Sequence, residues 1–71
     1  MRPSLIKTYA GIQDAKQAVD ILNTYFLLNN IINRAHIIEE GSFLGITYYK
    51  VWTKAAIDKG EMYSLLRKHR L

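Results

Sequence analysis

The chain has 71 residues, 49% of them hydrophobic and 23% charged, with ten lysines and arginines against six acids and a formal net charge of +4. That length reads as one domain, 1–71, and such a domain buries only about 60% of the surface its unfolded chain exposes, so apolar packing must carry the stability. With no cysteine there is no disulfide framework, thiolate nucleophile or cysteine zinc cluster, and no apolar run approaches the roughly 20 residues that span a bilayer. Met1-Arg2-Pro3-Ser4 leads into only a short apolar stretch, which does not read as a signal peptide, so a cytoplasmic location is expected. The basic balance favours acidic partners such as nucleic acid.

The first predicted element is a strand over residues 4–11. Leu5, Ile6, Thr8 and Tyr9 suit a pleated surface, Gly11 ends the run, and Pro3 sits outside it, where its missing donor does no harm. A helix follows from about Ala15 to Leu28, because Ala15, Ala18, Val19, Leu22, Tyr25 and Phe26 recur at helical spacing. Asp14 and Gln17 have capping-box spacing, and Asn29-Asn30 is a natural stop since asparagine tolerates a left-handed turn. Ile21 and Leu28 lie beside the main stripe and, with Tyr25, widen the apolar surface. They are either embedded in the fold or the contact for a partner, including a second copy of the chain.

Residues 31–53 are expected to form a hairpin. Ile31-Ile32, Ala35 and Ile37-Ile38 make one β-prone run, and Ile46 to Thr53 make another. Glu39-Glu40-Gly41-Ser42 carries turn chemistry between them, with Gly45 a second punctuation point. The last element is a helix in which Asp58 and Glu61 repeat the capping-box spacing and Ile57 and Met62 fit a hydrophobic staple. Met62, Leu65, Leu66 and His69 define its inner side, and Arg67, Lys68 and Arg70 crowd its last turn.

Ile6-Lys7-Thr8-Tyr9 before Asp14 and Gln17 echoes Tyr49-Lys50-Val51-Trp52 before Asp58 and Glu61. Each half is a strand leading into a capped helix. The expected fold is therefore α+β, a small β-α-β-β-α domain with a three-stranded antiparallel sheet and two helices packed on one face. In element order, and in Tyr49-Lys50-Val51 followed by a short turn and a helix, the chain resembles the SPOR domains, small peptidoglycan-binding modules with two strand-helix halves. It departs from them at Lys54-Ala55-Ala56, where the family carries glycine, proline and phenylalanine. The resemblance implies an architecture and not a function.

Catalytic chemistry finds no foothold, and the expectation is a non-enzymatic protein with no cofactor and no metal. His36 and His69 fall in different elements, and Ser4, Ser42 and Ser64 lack a nucleophile-elbow context. The four glycines are scattered and match neither phosphate-loop nor dinucleotide patterns. The informative run is Tyr48 to Lys54. Alternation puts Tyr48, Lys50, Trp52 and Lys54 on one sheet face. If the helices cover the other face, two aromatics interleaved with two lysines look outward, and flat rings beside ammonium groups suit bases and a phosphate backbone. Lys7 and Tyr9 of the first strand alternate in the same way and extend this surface, while Arg67 and Lys68 extend its electrostatic footprint. The alternative is a small protein-binding regulator or accessory subunit acting through Ile21, Tyr25 and Leu28.

Overall fold

The computed structural model describes residues 2–42 and 44–71. Five elements follow in the order β1 (Ser4–Tyr9), α1 (Ile12–Leu28), β2 (Ala35–Gly41), β3 (Thr47–Thr53) and α2 (Lys59–Lys68). The strands form one sheet of order β1-β3-β2, with β3 antiparallel to both neighbours. β1 and β2 therefore run the same way on either side of β3, and α1 is the crossover of a split β-α-β unit. The expected α+β class and element order are the observed ones.

One core lies between the sheet and the two helices. Ala15, Ala18, Leu22 and Phe26 of α1 and Met62 and Leu66 of α2 pack against Ile6, Tyr9, Ala35 and Val51 of the sheet. Leu22, Phe26, Met62, Leu66 and Val51 are among the largest fully buried side chains, and each stabilises the fold by roughly 1.5–3 kcal/mol through its burial. Ala15 and Ala18 are small enough to let α1 settle closely on the strands. With helices on one side alone, the molecule is thin, 17 Å along its shortest axis.

The polar groups at the seams are matched. Thr53 is fully buried; its hydroxyl donates to the Arg34 carbonyl at 3.3 Å and accepts from the Ala55 amide at 3.1 Å. Asn23 of α1 clamps the first residue of β2: its amide nitrogen donates to the Ala35 carbonyl at 3.2 Å and its oxygen accepts from the Ala35 amide at 2.7 Å. An asparagine thus supplies the pair of bonds that a neighbouring strand would otherwise make.

Both helices end in the same Schellman turn. The Ile31 amide donates to the Phe26 carbonyl and the Asn30 amide to Leu27, around Asn30 at φ 57°. The Leu71 amide donates to Leu66 and the Arg70 amide to Arg67, around Arg70 at φ 60°. The stop at Asn29-Asn30 follows the sequence reading. At the other end, α1 begins three residues before the expected Ala15: Gly11 is its N-cap, no side chain caps it, and Asp14 lies in its first turn. There Asp14 favours the positive end of the helix dipole without closing a capping box.

In α2 the Asp58 carboxylate does cap, accepting from the Gly60 amide at 3.2 Å. A Cβ at Gly60 would lie 3.2 Å from that carboxylate, a tight approach that a small shift of the exposed Asp58 side chain relieves. Glu61 does not reach back as a capping box requires; its carboxylate accepts from the Tyr25 hydroxyl at 3.4 Å. The hairpin turn also lies later than expected. Glu39, Glu40 and Gly41 complete β2, and the chain reverses after them, where the Ser42 amide donates to the Ile46 carbonyl and Gly45 takes φ 80°. Pairing Glu40 with Tyr48 and Gly41 with Thr47 extends the ladder, and that gain outweighs the weak strand preference of these residues.

Candidate functional site

The side of the sheet away from the helices is built from three cross-strand rows. Leu5, Trp52 and His36 form one, Thr8, Lys50 and Ile38 the next, and Tyr48 and Glu40 the last. None of these side chains belongs to the core or packs against it. The alternation expected for β3 holds: Val51 and Thr53 are buried beneath the helices, so Tyr48, Lys50 and Trp52 point the other way. No described element covers this face.

Trp52 stands on the central strand, half-buried between its neighbours, and its indole Nε1 is buried with no hydrogen-bond partner among the described residues. Tyr48 is 39% exposed. Four residues along one strand place their Cα atoms about 13 Å apart. Lys50 between them is not free: its ammonium lies 2.7 Å from the Glu40 carboxylate. Beyond the strand ends, the Asn33 amide donates to the Lys54 carbonyl at 3.5 Å and Thr53 to the Arg34 carbonyl. These bonds tie the backbones at Arg34 and Lys54 to their neighbours beside the strand ends that carry His36 and Trp52, and the side chains of Arg34, His36 and Lys54 are exposed. The Arg34 guanidinium also donates to the Ile31, Ile32 and Asn33 carbonyls, leaving further N–H groups of its fork available.

Four of the expected nucleic-acid residues do not join this surface. A bulge between Leu5 and Lys7 inserts Ile6 into β1, and one extra residue reverses the alternation beyond it. Tyr9 is consequently in the core, where its hydroxyl donates to the Leu71 main-chain oxygen at 2.8 Å. Burial, with the Asp14 charge as a smaller cause, pushes that hydroxyl up to about 12. Lys7 lies on the same side, its ammonium donating to the same Leu71 oxygen and standing 5.3 Å from the Tyr9 ring centre. Arg67 and Lys68 end α2, in the helical layer beneath the sheet. The surface therefore keeps Tyr48, Lys50 and Trp52, with Lys54 next after the end of β3, and gains His36, while the Arg34 guanidinium turns back onto the loop before β2. The signal for His36 was its position in the β2 run; what was missing was the register that sets it opposite Trp52.

Ile21, Tyr25 and Leu28, expected at a partner or dimer contact, come together on the helical side. With Thr24 and, from α2, Leu65 and His69, they line an open groove of about 310 Å³. Leu28 is 76% exposed, whereas Ile21 and Tyr25 pack in part against the core. Among the described residues no cluster of three or more His, Asp or Glu side chains converges as metal ligands would, and no helix is long and apolar enough to cross a membrane.

Fold and site together define a two-layer α+β domain with one uncovered, aromatic and basic sheet face. No protein-family model matches the chain, and neither a curated protein nor a solved structure matches it significantly.

Proposed function

We propose that this protein is a non-catalytic binding domain that takes single-stranded nucleic acid on its uncovered sheet face. The reading rests on one observation: Trp52 and Tyr48 share the side of the sheet without helices with Lys50 and His36, and the exposed Lys54 follows one strand end. Unpaired bases stack on such rings while cations follow the phosphates, and this chemistry selects exposed bases over a closed duplex. Lys50 stays paired with Glu40 and is not counted among the phosphate contacts. The rings contribute a term that tolerates sequence, and the cations a term that weakens with salt.

The chain has a single tryptophan, so its fluorescence reports on Trp52 alone. Titration with a short oligothymidylate at low salt should change that emission saturably, and the affinity should fall as salt is raised. No change at low salt, or a change indifferent to salt, contradicts the reading.

The apolar groove at Ile21, Tyr25, Leu28 and Leu65 favours a second reading, a regulator or accessory subunit that binds another protein or a second copy of the chain. Light scattering on the wild type and on Leu28→Glu tests the self-association form of it. A larger species that reverts to monomer in the variant supports it, and a strict monomer at all concentrations removes it.

A further inference from the structure

A second basic cluster lies in the helical layer, between β1 and the end of α2. Lys7, Arg67 and Arg70 line a pocket of about 480 Å³ whose apolar lining includes Ile6, Tyr63 and Leu66. No acidic side chain lines it. Leu71 also lines it, and its main-chain oxygen accepts from the Lys7 ammonium and the Tyr9 hydroxyl. Among the described residues neither Arg67 nor Arg70 is in an ion pair. Tyr63 is 38% exposed, so part of its ring is open to a ligand.

Basic residues at a helix C-terminus are ordinarily explained by the helix dipole. Two observations go beyond that explanation. Lys7 comes from β1, so the three cations converge from two elements and not from one helix end. Arg70, moreover, occupies the left-handed position of the Schellman turn at φ 60°, a place usually given to glycine or asparagine. The equivalent position after α1 is Asn30. An arginine kept where its backbone is strained, with its side chain on a pocket, points to a use for the guanidinium. The helix end does not oppose an anion strongly there, because the Leu66 and Arg67 carbonyls already accept from the Leu71 and Arg70 amides.

We propose that this pocket binds a phosphorylated small molecule carrying a flat ring, of the mononucleotide class. The forked donors of Arg67 and Arg70 suit phosphate oxygens, beside a Lys7 ammonium that is already bonded to the Leu71 oxygen. Tyr63 offers its exposed ring face to the flat ring, above the buried Leu66 and Ile6, and the volume falls within the range of small-ligand sites. The site is separate from the sheet face and does not depend on that reading.

Calorimetric titration of the intact chain with adenosine 5′-monophosphate, inorganic phosphate and adenosine tests the proposal. The monophosphate should bind more tightly than either fragment. Arg67→Gln and Arg70→Gly should each weaken it about tenfold or more, the loss expected for a charge-assisted contact. Glycine is at ease in the left-handed turn, so Arg70→Gly should remain folded by circular dichroism, and Trp52→Ala should bind the monophosphate as the wild type does. Absence of monophosphate binding, equal binding of a fragment, wild-type affinity in both arginine variants, or loss of affinity in Trp52→Ala would each overturn it.

Discussion

Glu40→Gln should strengthen nucleic-acid binding and make it more sensitive to salt. Glu40 is the acidic residue on the proposed surface, and its carboxylate holds Lys50 at 2.7 Å. Both side chains are partly exposed, at 57% and 29%, so the pair is worth no more than about 1 kcal/mol and the variant stays folded. Removing a unit charge about 6 Å from a phosphate in water relieves about 0.7 kcal/mol, roughly threefold in affinity. Releasing Lys50 adds one more phosphate contact, which steepens the plot of log affinity against log salt by about 0.7 for a single strand. Raising salt fourfold should then weaken the variant about 2.6-fold more than the wild type. Glu39→Gln is the control: it makes the same change in net charge from the adjacent residue, whose side chain points to the other face of β2. Oligothymidylate titrations at several salt concentrations give both quantities. If Glu40→Gln matches the wild type in affinity and slope, or Glu39→Gln shows the same gain, the charge layout proposed for this face is wrong.

Trp52→Phe should stay within about 1 kcal/mol of wild-type stability in urea denaturation, because it removes a buried indole N–H that has no partner. Trp52→Ala should cost about 1–2 kcal/mol, less than a core truncation since the ring is only half-buried; equal losses in the two variants would contradict this. Asn23→Ala removes both bonds to Ala35 and should cost about 2 kcal/mol in the same assay, two ordinary hydrogen bonds' worth, whereas a change too small to resolve would mean the clamp is incidental. Tyr9 should make stability fall with alkaline pH. Its hydroxyl is raised from the ordinary 10.0 to about 12 in the folded chain, so the unfolded state loses its proton first, and the stabilisation, complete below 10, disappears as pH rises toward 12. Tyr9→Phe should lack this decline, and superimposable thermal-melt profiles for the two proteins from pH 9 to 12 would refute it.

Much of the scaffold is legible in the residues because local and tertiary signals agree. The Ala15-Ala18-Leu22-Phe26 stripe names the core side of α1, Asp58 announces the start of α2, and Asn30 marks the end of α1. The site is less legible because it depends on pairing. Alternation alone places Lys7 and Tyr9 beside Trp52. The bulge that moves them is hinted at only by Ile6 and Tyr9, two apolar residues three apart, a spacing that a regular strand cannot bury on one side. The Glu40–Lys50 pair follows from a register in which Glu40 faces Tyr48 and Lys50 faces Ile38, making the charges diagonal neighbours. A turn read at Glu39–Ser42 hides that register. The convergence of Lys7, from β1, with Arg67 and Arg70 depends on the same bulge and on the left-handed turn at Arg70.

Chemical-shift mapping with an unlabelled oligothymidylate separates the two sides of the molecule directly. Saturable perturbations gathered at His36, Tyr48, Lys50, Trp52 and Lys54, with the groove at Ile21, Leu28 and Leu65 silent, are the expected result. Perturbations confined to the helical layer, or none at low salt, would contradict a nucleic-acid role for the bare side of the sheet.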